Sequence, residues 1–519
     1  MSLIPAERIG LNTQLRYQGY GSAAFGTPVV RVSGPTVVNT DERGNTVAEM
    51  QVEEVPTACS IDERMAQLSR DFFNNINERT PCTLRVECPD GVFTATEQAF
   101  RDPSIDFPNR RASIKFHCFR SQFERPDAST VYWRLPIWNF HGRLRPGMAI
   151  PEILHPLRLS GGNPVSSFEF LGEPGLVEFI PGYKELLEQQ KNGDRNPTVT
   201  ATTVGATAGR PTTWEGLDSW FPFEYLTLLG FASGSRVGSP WIEFLDAHGH
   251  LAKRVHVHLG TNRYETGVAF VDDIVNRGGL GRLLTRAERS AEFGKTYLTI
   301  AMNHLLLGVR DSQTLQDKIS HLSRALDALA EKFGLGVQYL LEGADGSVKS
   351  SVTDVLRIAS SQITDMARHQ DAAGRSDIAS FLRRIAERTK STPANVDRDF
   401  GLTVISLLQR FGLNDAAVVE AHYQATPRSD GRKWHQVLSH YRGLCQHGGA
   451  FRFREKEHSP LEVYKLSNHL ADIIARIILK QLNYDGEYQR ATSRWRESSN
   501  LDWVTVSTPA AALGYGNDE

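Results

Sequence analysis

Cysteine is scarce in this chain: Cys59, Cys82, Cys88, Cys118 and Cys445 are the five among 519 residues. So odd and sparse a set cannot supply a disulfide framework, which predicts reduced thiols and a cytoplasmic protein. Long apolar runs are lacking too, and the first residues, Met1-Ser-Leu-Ile-Pro-Ala-Glu-Arg, meet proline and charge at once. Neither a signal peptide nor a membrane span is therefore expected. Net charge is small: 58 Lys and Arg stand against 60 Asp and Glu, leaving −2. Bulk charge thus gives no attraction to nucleic acid, and any contact with RNA has to come from a local patch. No Gly-x4-Gly-Lys-Ser/Thr loop occurs, and the small-residue run Ala232-Ser-Gly-Ser-Arg has no lysine placed for a nucleotide, which argues against ATP use. The absence of a Gly-x-Ser-x-Gly elbow between a strand and a helix removes support for a serine hydrolase. No cofactor is expected.

What is present is enough sequence, 40% hydrophobic and 23% charged, for two or three cores. The first half reads as β-structure. Val29–Val32 and Val47–Met50 flank a turn at Asp41–Asn45, and similar runs recur at Thr83–Val86, Ala112–Phe116 and Thr130–Trp133. They predict an antiparallel β-sandwich-like domain or barrel over residues 1–275, interrupted near Phe168–Gln190 and by a mobile loop at about 191–213, where bulky apolar residues are few. Trp241–Ala247 and Leu251–Leu259 read as a further hairpin. From about Thr285 the period becomes helical. Glu288–Val309, Ser312–Phe333, Ser351–His369, Asp377–Lys390 and Asp397–Phe411 carry apolar residues three or four apart, with glycine and proline breaks between them. The fold class expected is α+β, with an all-α bundle over 285–507, a core of it at about 396–485, and a frayed tail at 508–519.

Metal sites find little support. His256 and His258 share a strand face, with His248 and His250 nearby, but no motif fixes a cysteine or carboxylate beside them, and they read as surface histidines near a hairpin turn. Cys82, Cys88, His117 and Cys118 lack the tight knuckle spacing of structural zinc sites.

The most informative stretch lies near the C-terminus. Asp430–His447 reads as a helix, because Trp434, Val437, Leu438, Tyr441, Leu444 and Cys445 recur at helical intervals and Gly448-Gly449 stops it. Near its end stand Arg442 and His447. Cleavage of RNA by its own 2′-hydroxyl requires a proton acceptor or donor near neutral pH and a fixed cation beside the phosphate, and no metal. Histidine and arginine supply those two functions. Of the 16 histidines, only His447 has an arginine five positions before it. Looser gaps also pair Arg111 with His117 and Arg428 with His435, so spacing alone singles out nothing. On an ideal helix the two side chains point about 140° apart. They share a target only if the last turn unwinds, which the glycines allow, or if a cleft wraps the helix end. His435 and His440 lie near the motif and are candidates to assist. Arg432, Lys433, Arg452 and Arg454 offer a local basic patch for RNA, interrupted by Glu455 and Glu457.

On these residues the C-terminal segment resembles a HEPN domain, a compact helical bundle whose ribonuclease members carry an arginine, four to six residues, then a histidine. Here the match is Arg442 and His447, followed by a long helix from Pro460 to Tyr484. Gly443 departs from the pattern, since the position after the arginine is often polar in active members. The upstream half resembles the N-terminal domain of ApeA-type bacterial proteins, notably in Phe221-Pro-Phe-Glu-Tyr-Leu-Thr-Leu-Leu-Gly-Phe-Ala-Ser-Gly-Ser and the hairpin after it. The two resemblances imply a metal-independent endoribonuclease acting in antiphage defence by abortive infection. They also imply a homodimer whose protomers share one cleft, a phage-derived trigger, and an N-terminal domain that senses or regulates. The alternative is a non-catalytic RNA- or protein-binding dimerisation module.

Overall fold

A computed structural model describes residues 11, 14–25, 30–41, 44–53, 83–100, 104–106, 111–141, 150–192, 197–217, 220, 224–259, 267, 269–271, 278–310, 312–335, 346–391, 400–411, 434–446, 451, 459–486, 488–489 and 498–499. The fold is α+β. Its strands are β1 (Leu15–Phe25), β2 (Val30–Thr40), β3 (Thr46–Val52), β4 (Thr83–Cys88), β5 (Gly91–Phe100), β6 (Ser104–Asp106), β7 (Arg111–Glu124), β8 (Tyr132–Trp138), β9 (Asn163–Phe170), β10 (Glu173–Phe179), β11 (Val199–Ala206), β12 (Ser239–Leu245) and β13 (Leu251–Leu259), with a small pair β14 (Tyr488–Gln489) and β15 (Ser498–Ser499). The helices are α1 (Tyr183–Lys191), α2 (Trp214–Leu217), α3 (Glu224–Ser233), α4 (Gly279–Glu288), α5 (Thr296–Gly308), α6 (Leu315–Lys332), α7 (Gly346–Ala372), α8 (Ser376–Ser391), α9 (Phe400–Arg410), α10 (Trp434–Gln446) and α11 (Pro460–Gln481). Among the described residues, no helix is long and apolar enough to cross a membrane.

The chain divides into two compact units. The first comprises Met1–Lys295, Val309–Gln313 and Ala475–Thr505; the second comprises Thr296–Gly308, Thr314–Ile474 and Val506–Glu519. Within the first unit, α4 packs on β9. At Gly281 a Cβ would stand only 2.0 Å from the Ser167 carbonyl oxygen, so the close approach of helix to strand depends on glycine there.

In the first unit β1 to β13 form one antiparallel sheet, hydrogen-bonded in the order β3-β2-β1-β4-β5-β7-β13-β12-β8-β11-β10-β9, with β6 on β7. An additional β3–β7 pairing closes β1, β2, β3, β7, β5 and β4 into a ring. The 14-residue β7 makes this closure possible: Ala112–Cys118 pairs with β3, while Ser121–Glu124 pairs with β13. A continuous antiparallel sheet, part of it closed on itself, therefore stands where a sandwich or barrel was expected. Closure gives each of the six strands of the ring a hydrogen-bonded neighbour on both sides. Its strands alternate inward apolar and outward polar residues, as in Thr83–Cys88, and Tyr17, Val38, Met50, Val86, Phe93 and Phe116 belong to the core they enclose. The β2–β3 turn is held by Asp41, whose carboxylate accepts from the Asn45 backbone N–H at 2.8 Å and its side-chain amide at 2.9 Å.

Beyond the ring, every residue of β8 and β12 is buried. A row of charges crosses it. Glu243 on β12 stands opposite Arg254 on β13 and Arg134 on β8. Arg254 donates to Glu243 Oε1 at 2.6 and 3.1 Å and to the Tyr17 hydroxyl at 2.9 Å, and its guanidinium lies 5.1 Å from the Trp241 ring centre. Arg134 approaches Glu243 at 3.6 Å and donates to the Leu157 carbonyl at 2.8 Å. Burial lowers the Arg134 pKa, against the opposing pull of Glu243 and Glu178.

Two expectations are corrected here. Within the stretch 191–213, expected to be a loop, lies β11, seven of whose eight residues are buried between β8 and β10. Its Val-Thr-Ala-Thr-Thr-Val-Gly-Ala sequence lacks bulky side chains, but valine and threonine are β-branched and suit a strand, and the Thr200 hydroxyl is satisfied by the Phe140 carbonyl at 3.0 Å. The helix expected over Glu288–Val309 is broken: α4 ends at Glu288, a turn with Gly294 at φ 77° intervenes, and α5 starts at Thr296.

In the second unit α5 and α6 pair closely, with Gly308 against Leu322, where a Cβ would meet the leucine side chain at 2.7 Å. Thr314 caps α6 by accepting from the Asp317 backbone N–H at 3.1 Å and donating to its carboxylate at 2.7 Å. α7 and α8 form a hairpin along a seam of small buried residues, Ser360, Ala367, Ala379 and Ala386, with Ser360 donating to the Ala386 carbonyl at 2.8 Å. α9 and α10 pack on each other and on α6. Gly401 at the start of α9 donates its backbone N–H to Ser439 on α10 at 2.8 Å.

Candidate functional site at the end of α10

Helical spacing places Val437, Leu438 and Tyr441 on the buried face of α10 and leaves Arg442 at its margin. Arg442 is fixed from two sides. Its Nη2 donates to Asp327 Oδ2 on α6 at 2.8 Å, and its guanidinium carbon lies 4.2 Å from the ring centre of Phe400, the first residue of α9. The side chains of Arg442 and Asp327 keep 26% and 39% of their exposure, so water still reaches the pair. At that exposure, ion pair and ring contact together are worth roughly 1 kcal/mol, enough to choose a rotamer and too little to hold the bundle. Arg442 Nε is buried without a hydrogen-bond partner among the described residues. Burial raises the Asp327 carboxyl above its ordinary range, although the hydrogen bond and charge of Arg442 pull the other way, and Glu331 adds to the rise.

Around the arginine, Tyr441 packs against Phe451 with ring centres 5.1 Å apart, and Cys445 donates its thiol to the Gln316 carbonyl at 3.4 Å. Burial, aided by the Asp317 charge, pushes that thiol up to about 11. It is protonated at neutral pH and is no nucleophile there. Gly443 has nothing within 4 Å of where a Cβ would stand, so its side-chain position is open.

Of the residues singled out in sequence, Arg442 is thus held in a defined geometry. His440 is exposed and His435 half-buried on the same helix. His447, Arg432, Lys433, Arg452 and Arg454 lie outside the described residues. Sequence reasoning missed Asp327 and Phe400. The aspartate is 115 positions upstream of its arginine, and only its place on the polar margin of an otherwise leucine-striped helix distinguishes it. Also missed were the buried polar side chains His469, Asp472 and Arg476, which recur at helical spacing along α11.

The metal candidates separate. His248 and His250 are exposed on the β12–β13 turn, where Asp246 accepts from both backbone N–H groups at 2.8 and 2.9 Å. His256, read as a surface residue, is buried against Tyr17, Phe93 and Trp241, because its strand passes into the covered part of the sheet. Cys88, Cys118 and Cys445 form no disulfide. Among the described residues no group of three or more His, Cys, Asp or Glu is arranged to hold a metal. Set against protein-family models, curated proteins and solved structures, the chain matches none of them.

Proposed function

We propose that this protein is a HEPN-type, metal-independent endoribonuclease of antiphage defence by abortive infection, with its site at the end of α10. The observation that carries the reading is the setting of Arg442: a half-buried guanidinium, oriented by Asp327 and Phe400, one turn before the helix ends. A cation fixed in advance stabilises charge that develops on a phosphate without reorganising at the moment of reaction. His447, one position beyond α10, takes the proton from the ribose 2′-hydroxyl; the oxygen attacks the adjacent phosphorus, and the 5′-oxygen leaves with a proton returned by imidazolium. The products are a 2′,3′-cyclic phosphate and a 5′-hydroxyl. Two copies of the chain sharing a cleft would bring each arginine to the other copy's histidine. The β-rich unit would sense or regulate.

A second reading has its own support. Asp327 already engages the Arg442 charge, so the arginine has a structural task whether or not RNA binds, as expected of a non-catalytic interaction module. Growth after expression in bacteria, with phage infection supplying a trigger, separates the two. Under the nuclease reading, wild type arrests growth and His447→Ala, equally abundant and folded, does not. Equal arrest by both supports the interaction module.

A further inference from the structure

α5 and α6 bring together two histidines 17 positions apart in the chain. His304 Nδ1 and His321 Nδ1 are 3.2 Å from each other, with ring centres 5.4 Å apart and planes 28° from parallel. Both side chains are half-buried. At that spacing one Nδ1 carries hydrogen and the other accepts it, and two imidazolium rings could not face each other in this way. Burial, together with the neighbouring Arg324 charge, lowers the His304 pKa, so the neutral ring is favoured. Neutral imidazole is the form that ligates metal.

The spacing has a further meaning. Two nitrogens each about 2.0–2.1 Å from a tetrahedral ion stand about 3.3 Å apart, so these rings are already at chelating distance. The helices that carry them are fixed by the contact of Gly308 with Leu322 and by Lys332, whose ammonium lies 5.2 Å from the Tyr297 ring centre. Partial exposure leaves solvent to complete a coordination shell. We propose that His304 and His321 form a two-histidine chelate for a divalent transition ion of the Zn2+, Ni2+ or Cu2+ class, which clamps α5 to α6. Imidazole suits these ions, whereas Mg2+ and Ca2+ require oxygen ligands. The chelate lies apart from the end of α10 and does not depend on the nuclease reading.

Zinc titrated calorimetrically into the full-length, metal-free protein tests the chelate, with thermal unfolding followed in parallel. One equivalent should bind and raise the melting temperature, and His304→Gln and His321→Gln should each weaken binding by roughly tenfold or more. His248→Gln, on the exposed turn, should leave binding unchanged. Copper added to the wild type gives a reading that needs no variant: its electron paramagnetic resonance spectrum should show coupling to two imidazole nitrogens. Zinc affinity unchanged in both His304→Gln and His321→Gln, or a copper spectrum without two imidazoles, would overturn the proposal.

Discussion

His256 is enclosed by Tyr17, Phe93 and Trp241, and burial, reinforced by the Arg254 charge, pushes its imidazole down to about 3. An unfolded histidine keeps its ordinary value of 6.5. As pH falls, the unfolded chain therefore takes up the proton first, so this contribution to stability is complete above about 6.5 and is lost between there and about 3. Between about pH 7 and pH 5 the loss should approach 2 kcal/mol, at about 1.4 kcal/mol per pH unit. Urea unfolding at the two pH values should show that loss in the wild type and a smaller one in His256→Phe. An identical pH dependence in both would mean that another group titrates. His141, lowered to about 4 mainly by burial, should contribute to the slope that remains. At the same scale, Arg442 could be picked out from the chain because its residue type carries chemistry. What holds it could not: the choice of Asp327 and Phe400 as neighbours follows from how α6, α9 and α10 meet, and sequence spacing records nothing of that.

At the scale of elements, period decided what was legible. α6, α8, α9 and α10 could be read because one face of each is apolar at helical intervals, and β3 and β4 because one face of each looks into the ring. β11 lacked that alternation, since its valine, threonine, glycine and alanine residues are buried on both faces. The Arg254–Glu243–Arg134 row was equally hidden, because three charges on separate strands read singly as surface residues until register sets them side by side. Removing the central carboxylate would leave two buried arginines facing each other. Glu243→Gln should accordingly destabilise the protein by about 3–5 kcal/mol in denaturant unfolding. A loss below about 1 kcal/mol would show that the arginines reach water or another acceptor despite their burial.

For the whole molecule, the α+β class could be read from the change of period near Thr285, but neither the ring closure through β7 nor the return of the chain to the first unit at Ala475 has a local signature. Both depend on pairings across long sequence distances. The shared-cleft proposal belongs at this scale as well. If each copy completes the other's site, inactive Arg442→Ala and inactive His447→Ala proteins, mixed and allowed to exchange subunits, should regain part of the wild-type activity, because one of the two clefts in a mixed dimer then holds both groups. Persistent inactivity despite demonstrated exchange would place arginine and histidine of one active site on the same chain. The most direct measurement is RNA cleavage by the purified protein in EDTA, with phage-infected lysate as a source of trigger, comparing wild type, Arg442→Ala and His447→Ala and identifying the product ends. The wild type should leave 2′,3′-cyclic phosphate ends, and both variants should lose them. Cleavage that persists in either variant, or a wild type that leaves RNA intact with the lysate present, would contradict the proposed nuclease site.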